Sequence, residues 1–224
     1  MFKSKVRDLI IPQSEHARLA ATLAFFWGNR EFDRPPLPFE TLLKAVALHD
    51  RAFGYLDSHA IGEMSDEVWI RLQRRGLEGG DGDLLCDTLI QLHIKRLAGH
   101  LKGPAGRKFR EEIEKSVQKN LSTLSIDIER LERSDRVTAI CDSIAFDFSF
   151  EEPVHSSSFV YPHNRSNGEL EIEYQVHPGG EVQVSPWPFS VDIIKGFVLG
   201  YKPTSYPQLP DPVFVPYQVV PGMW

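Results

Sequence analysis

The stretch AVALHDRAFG, residues 45–54, decides how this chain is read. An apolar run meets an adjacent imidazole and carboxylate, His49 and Asp50, and closes on Gly54. Working outward, Leu42, Val46, His49 and Phe53 recur every three to four residues, so the spacing predicts a helix over 39–53 with His49 on its buried stripe and Gly54 as its stop. The same period appears on both sides. In 14–29, Leu19, Leu23 and Phe26 share a face with His16, and in 83–101 Cys86, Leu89, His93, Leu97 and His100 fall on one stripe. Ser65-Asp66-Glu67 begins another helix with a capping hydroxyl and first-turn acids, and Gly79-Gly80 ends the segment that follows. Residues 104–134 carry many charges among sparse apolar positions, the pattern of a long, partly solvated helix or helix pair. In 135–147, DRVTAICDSIAFD, small and apolar residues surround Asp142, and an acid in such a setting needs a partner.

The chain changes character near Phe146. Up to Ala145 there are 22 basic and 22 acidic residues, whereas the remainder holds 3 and 9, so the net charge of −6 belongs to the tail. Of the 16 prolines, 11 follow residue 146. There the helical period gives way to alternation in ELEIEYQV (169–176) and EVQVS (181–185), joined through His177-Pro178-Gly179-Gly180 as a hairpin. Strands are also expected over 191–201 and 213–220, with the prolines at 203, 207, 210, 212 and 216 favouring edge positions. The expected fold is therefore mainly α, a helical bundle at 1–146 with a small β-rich C-terminal extension at 147–224 that covers the active-site mouth or forms a homo-oligomer contact.

Composition excludes several classes. The charge pattern has no basic nucleic-acid footprint. No apolar run approaches the roughly 18–20 residues of a membrane span, and the N-terminal MFKSKVRDLIIPQ lacks a signal-peptide core, so a cytoplasmic protein is expected. Two cysteines are too few for a disulfide framework, while eight histidines leave imidazole available for metal work. His16, His49, Asp50 and Asp142 form a mixed nitrogen and oxygen set that suits a divalent transition metal (manganese, iron, zinc or nickel) and leaves positions open for water and substrate.

In these four residues, and in AVALHDRAFG above all, the chain resembles the HD-domain superfamily of metal-dependent phosphohydrolases. The resemblance places the family's first histidine at His16, its His-Asp pair at His49-Asp50 and its last aspartate at Asp142. More narrowly, residues 13–27, HDRAFGYLD (49–57) and LHIKRL (92–97) resemble uncharacterised bacterial proteins forming a domain-of-unknown-function family related to that superfamily. The resemblance implies an HD-like helical domain and hydrolysis of a small phosphorylated substrate, such as a nucleotide, by a metal-activated water. Asp50, Arg51, His93 and Lys95 are then candidate catalytic residues, with Arg51 and Lys95, and also Arg18 and Arg96, as phosphate contacts. His93 stands as an extra ligand or a general acid, and Asp57 or Glu15 as water-orienting groups. The rival expectations are a di-iron oxygenase on the same fold and a non-catalytic metal-binding or interaction module.

Overall fold

The computed structural model describes residues 1–54, 57–78, 80, 82–208 and 211–224. Tyr55 and Leu56 of HDRAFGYLD, Gly79 of the predicted helix stop, and Pro210 lie outside the described residues. The chain starts with two short paired strands, β1 (Phe2–Lys3) and β2 (Ile10–Ile11), followed by α1 (Gln13–Phe26), α2 (Phe39–Ala47), α3 (Asp66–Leu77), α4 (Leu84–Ala98), α5 (Gly103–Leu124) and α6 (Ile128–Phe150). Five strands then follow: β3 (Val154–Val160), β4 (Leu170–Val176), β5 (Glu181–Ser185), β6 (Ile194–Gly200) and β7 (Val213–Pro221).

Caps explain several helix starts. Ser65 Oγ accepts from the Val68 N–H, and Asp83 Oδ1 accepts from the Cys86 N–H at 3.0 Å, each taking one of the amides a first turn leaves free. The 39–53 segment departs from its sequence pattern, because α2 stops at Ala47 and a short 3-10 turn occupies Arg51–Phe53 before Gly54 turns at φ +72°. The helix ends where the His49 ring takes over: its Nδ1 lies 2.6 Å from the Val46 carbonyl, which the next helical turn would otherwise use.

The expectation of a mainly α bundle with a small β extension is overturned. Among the described residues six α-helices stand beside a five-stranded mixed sheet of order β3-β4-β5-β7-β6 and a two-stranded sheet, so the architecture combines α and β. The sheet packs on α6 through β3 and β4 and on α1 through β6. One apolar cluster runs without a break from Leu19, Leu23, Ile140 and Phe148 in the helices to Ile172, Val184, Val198 and Val215 in the strands. The last helix extends to Phe150, past the change in composition at Phe146. Strand β3, VHSSSFV, escaped the sequence reading because its three consecutive serines blur the apolar alternation.

Two details tie the layers together. Trp27, at the end of α1, bridges to Phe189 in the SPWPF stretch, the two rings lying edge to face at 5.9 Å, and Gly28 N–H donates to the Pro188 carbonyl. Strand β7 is interior to the sheet although it holds Pro216, against the expectation of edge strands. Proline is tolerated there because β5 joins β7 only from Gln218 onward, leaving Pro216 with β6 as its neighbour. Gly180 permits the approach: its φ is +93°, and a Cβ on it would sit 2.2 Å from the Pro216 carbonyl oxygen.

Candidate metal centre

Each of three packed elements delivers part of one polar cluster into the helical layer. Helix α1 presents His16 from its first turn, the turn after α2 presents His49 and Asp50, and α6 presents Asp142. His16 and His49 are fully buried, and Asp50 and Asp142 nearly so. The Nε2 atoms of His16 and His49 lie 3.0 Å apart, and Asp142 Oδ1 is 3.0 Å from the first and 3.2 Å from the second. Asp50 Oδ2 is 3.6 Å from His16 Nε2 and 3.5 Å from His49 Nε2. Donors bound to one ion at roughly 2.0–2.2 Å are about 3.0 Å apart at right angles and about 3.4 Å apart at the tetrahedral angle. The His16, His49 and Asp142 separations of 3.0–3.2 Å fall within that interval, and those of Asp50, 3.5 and 3.6 Å, lie just beyond it. The buried His/Asp groups can therefore hold a metal ion, and the donor set of imidazole and carboxylate fits a divalent transition metal.

The hydrogen bond from His49 to the Val46 carbonyl holds a proton on Nδ1, so Nε2, which faces the cluster, is the nitrogen that would ligate once its own proton is lost, the outer-shell arrangement that ligating histidines use. His16 has no such partner among the described residues at Nδ1, and its ring is oriented by packing against Phe2 at 5.0 Å. His93 in α4 also enters the cluster, its ring 4.6 Å from that of His49. Arg96 Nη2 donates to His93 Nδ1 at 2.9 Å, so neutral His93 carries its hydrogen on Nε2, which lies 3.6 Å from Asp50 Oδ1. In that form Nε2 donates, although His93 with His49 and Asp50 makes a second buried group whose atoms are close enough to hold a metal ion. Arg96 in turn donates to Asp135 and lies 3.5 Å from Asp142 Oδ2, joining α4 to α6 behind the site.

Electrostatics follow from this crowding. Burial would lower the His49 pKa, but the charges of Asp50 and then Asp142 outweigh it and raise the metal-free value to about 9. Burial would raise both carboxylates, yet the His49 charge foremost holds Asp50 low and Asp142 well below its usual range. Burial lowers His93 despite its acidic neighbours, keeping it neutral.

Asp50, His93 and Asp142 also face a cavity of about 270 Å³, so one side of the cluster is open. The other sequence candidates are held elsewhere. Arg51 donates to Asp87 Oδ1 at 2.6 Å and to the Gly76 carbonyl, and Lys95 pairs on the surface with Glu114. Arg18 is bonded to Glu15 and the Phe197 carbonyl, Glu15 also accepts from the Leu199 N–H, and Asp57 accepts from the Met1 amino group and the Gln13 N–H. Sequence reasoning missed Asp135 and the wall residues Phe53, Trp69 and Phe146; of these, Phe146 had a signal, one helical turn after Asp142. Among the described residues no helix is long and apolar enough to cross a membrane.

A family model described as "Protein of unknown function (DUF3891)" matches residues 2–66 and 83–200, most of the chain, and the chain belongs to that family. No curated protein and no solved structure is significantly similar to it.

Proposed function

We propose that this DUF3891 member is a metal-dependent phosphohydrolase with an HD-type ligand set of His16, His49, Asp50 and Asp142. The observation that carries the reading is the convergence of His16, His49 and Asp142 donor atoms at 3.0–3.2 Å, with an Asp50 oxygen 3.5–3.6 Å from both imidazoles, beside an open cavity. Their order along the chain is that of the HD superfamily, which favours a phosphate ester as substrate and manganese, iron, zinc or nickel as the ion. A divalent ion held there would lower the pKa of water and polarise a phosphoryl oxygen.

The protein's own groups supply the rest. Asp50 and Asp142 both line the cavity and can therefore orient water from that side. His93 lines the cavity, and its neutral Nε2–H, which has no hydrogen-bond partner among the described residues, can stabilise negative charge on a phosphoryl oxygen without surrendering its proton. The Arg96 bond to Nδ1 holds that donor in place.

The test is elemental analysis of purified protein followed by phosphate release from a panel of monoesters, with Asp50→Ala alongside. One equivalent of metal and turnover that disappears in the variant are expected. Undiminished turnover in Asp50→Ala would sink the mechanism.

A further inference from the structure

The cavity beside the metal centre has a charge and a polarity that narrow what can enter it. Its wall is built by Phe53, Met64, Trp69, Leu97, Leu101 and Phe146, drawn from four separate parts of the chain. The carboxylates of the lining are Asp50 and Asp142 at the floor and Asp66 at the exposed rim, and its other polar side chains are Gln13, His93 and the exposed His100; no lysine or arginine lines it among the described residues. A divalent ion with two carboxylates and two neutral imidazoles is electrically neutral, so the floor offers no surplus positive charge. Nearby cations are engaged: Arg51 with Asp87, Lys95 with Glu114, and Arg96 with Asp135 and His93. A neighbouring hollow does have Arg51 on its rim, but that guanidinium is fixed to Asp87 and the Gly76 carbonyl.

An anion with several phosphates would have to lay the second and third against an apolar wall with no counter-charge and with Asp66 at its mouth, a setting that strongly disfavours buried charge. An apolar group gains there instead. At about 270 Å³, near the lower end of the ~300–1,000 Å³ of ordinary ligand pockets, the cavity encloses a compact group.

We propose that the substrate is a small phosphate monoester whose single phosphoryl group is carried on a compact, uncharged, apolar body such as an aryl or short alkyl group. The proposal rests on the metal-hydrolase reading above. In the reaction a water oxygen bonds to phosphorus as the ester P–O bond breaks. The water loses a proton, the leaving oxygen gains one, and inorganic phosphate and the apolar alcohol are released.

Binding and turnover are tested separately on metal-loaded protein. Calorimetry compares benzylphosphonate, methylphosphonate, adenosine 5′-monophosphate and ATP; turnover compares benzyl phosphate, glycerol phosphate and adenosine 5′-monophosphate, all esters of primary alcohols. Benzylphosphonate should bind at least ~10-fold tighter than methylphosphonate, as expected when an aromatic group leaves water for an apolar site, and ATP should bind weakest. Trp69→Ala should reduce the benzylphosphonate advantage. Because Trp69 also packs edge-on against Phe109, the half-buried Met64 provides a second variant: Met64→Lys should weaken benzylphosphonate and strengthen adenosine 5′-monophosphate. Equal affinity for benzyl and methyl phosphonates, or a preference for nucleotides, would overturn the apolar-body inference while leaving the hydrolase reading intact. The expected binding order with no turnover of any ester would overturn the hydrolase reading, and with it the claim that the occupant is a substrate.

Discussion

Arg96→Lys tests whether His93 acts as a fixed hydrogen-bond donor. Arg96 Nη2 donates to His93 Nδ1 at 2.9 Å while Nη1 donates to Asp135, and Nη2 also lies 3.5 Å from Asp142 Oδ2. Lysine keeps the charge but has a single nitrogen, which can satisfy one carboxylate and cannot also reach the ring as the planar fork does. His93 Nδ1 is then free to take the proton and donate to Asp142 Oδ2, 3.5 Å away, turning Nε2 into an acceptor at the cavity wall. Losing a hydrogen bond to a charged oxygen costs about 1.5–3 kcal/mol, which at about 1.36 kcal/mol per decade lowers kcat roughly 10- to 150-fold. Metal content and KM should change little. The tautomer is read directly from the 15N shifts of the His93 ring, and kinetics are taken on Arg96→Lys, His93→Gln and the double variant. Both changes remove the same donor, so the double variant should be no slower than the slower single one. Effects on kcat that multiply, or an unchanged Nε2–H tautomer in a slowed Arg96→Lys protein, would refute the reasoning.

Asp142→Asn keeps the side-chain shape and removes a ligand charge; its metal affinity, measured by chelator competition, should fall beyond the roughly 10- to 100-fold that loss of an outer-shell partner produces, and full occupancy after dialysis would contradict this. Metal uptake should also depend on pH, because an incoming ion must displace the proton that Asp50 and Asp142 hold on buried His49 up to about 9. Affinity should rise about tenfold per pH unit between roughly 7 and 9 with release of close to one proton, and a flat profile would count against His49 as a ligand. The sign for metal-free stability is opposite: the folded pKa lies above the unfolded value of about 6.5, so the His49 contribution is complete below that pH and is lost as pH rises through about 9, and the apo Tm should fall over that range. Gly180→Ala forces a side chain into φ +93° against the Pro216 carbonyl; it should destabilise by more than about 1 kcal/mol and lower Tm by at least roughly 2–4 °C, with metal content unchanged. Lys95→Ala, which removes a solvent-exposed partner of Glu114, should leave kcat and KM at wild-type values, and a large loss of activity would return Lys95 to the substrate-binding groups.

What could be read from the sequence and what could not differ in the range over which each property is decided. His16, His49 and Asp142 each sit on an apolar face of their own segment, so local periodicity singles them out as buried polar groups in need of partners. The resemblance then groups them, and packing of α1 against α2 and α6 places the three close enough to share an ion. Arg96 gave no such signal. On its helix it reads as a solvated charge, and its role depends on Asp135, which lies 39 residues away and on a different helix. The early end of α2 is equally hidden: residues 48–50 contain no glycine or proline, and the turn is made by a side chain, His49, taking the Val46 carbonyl. In the sheet, β7 pairs in parallel with β5 across more than thirty residues, and Pro216 is acceptable because it precedes Gln218, where β5 first joins β7. The cavity is the most non-local feature, since Phe53, Trp69, Leu97 and Phe146 are ordinary core candidates in their own segments and form a wall only after folding. The candidate ligands were thus visible as single residues, whereas the cavity, with a wall assembled from four segments and nearby cations turned away toward partners, exists only in the folded chain.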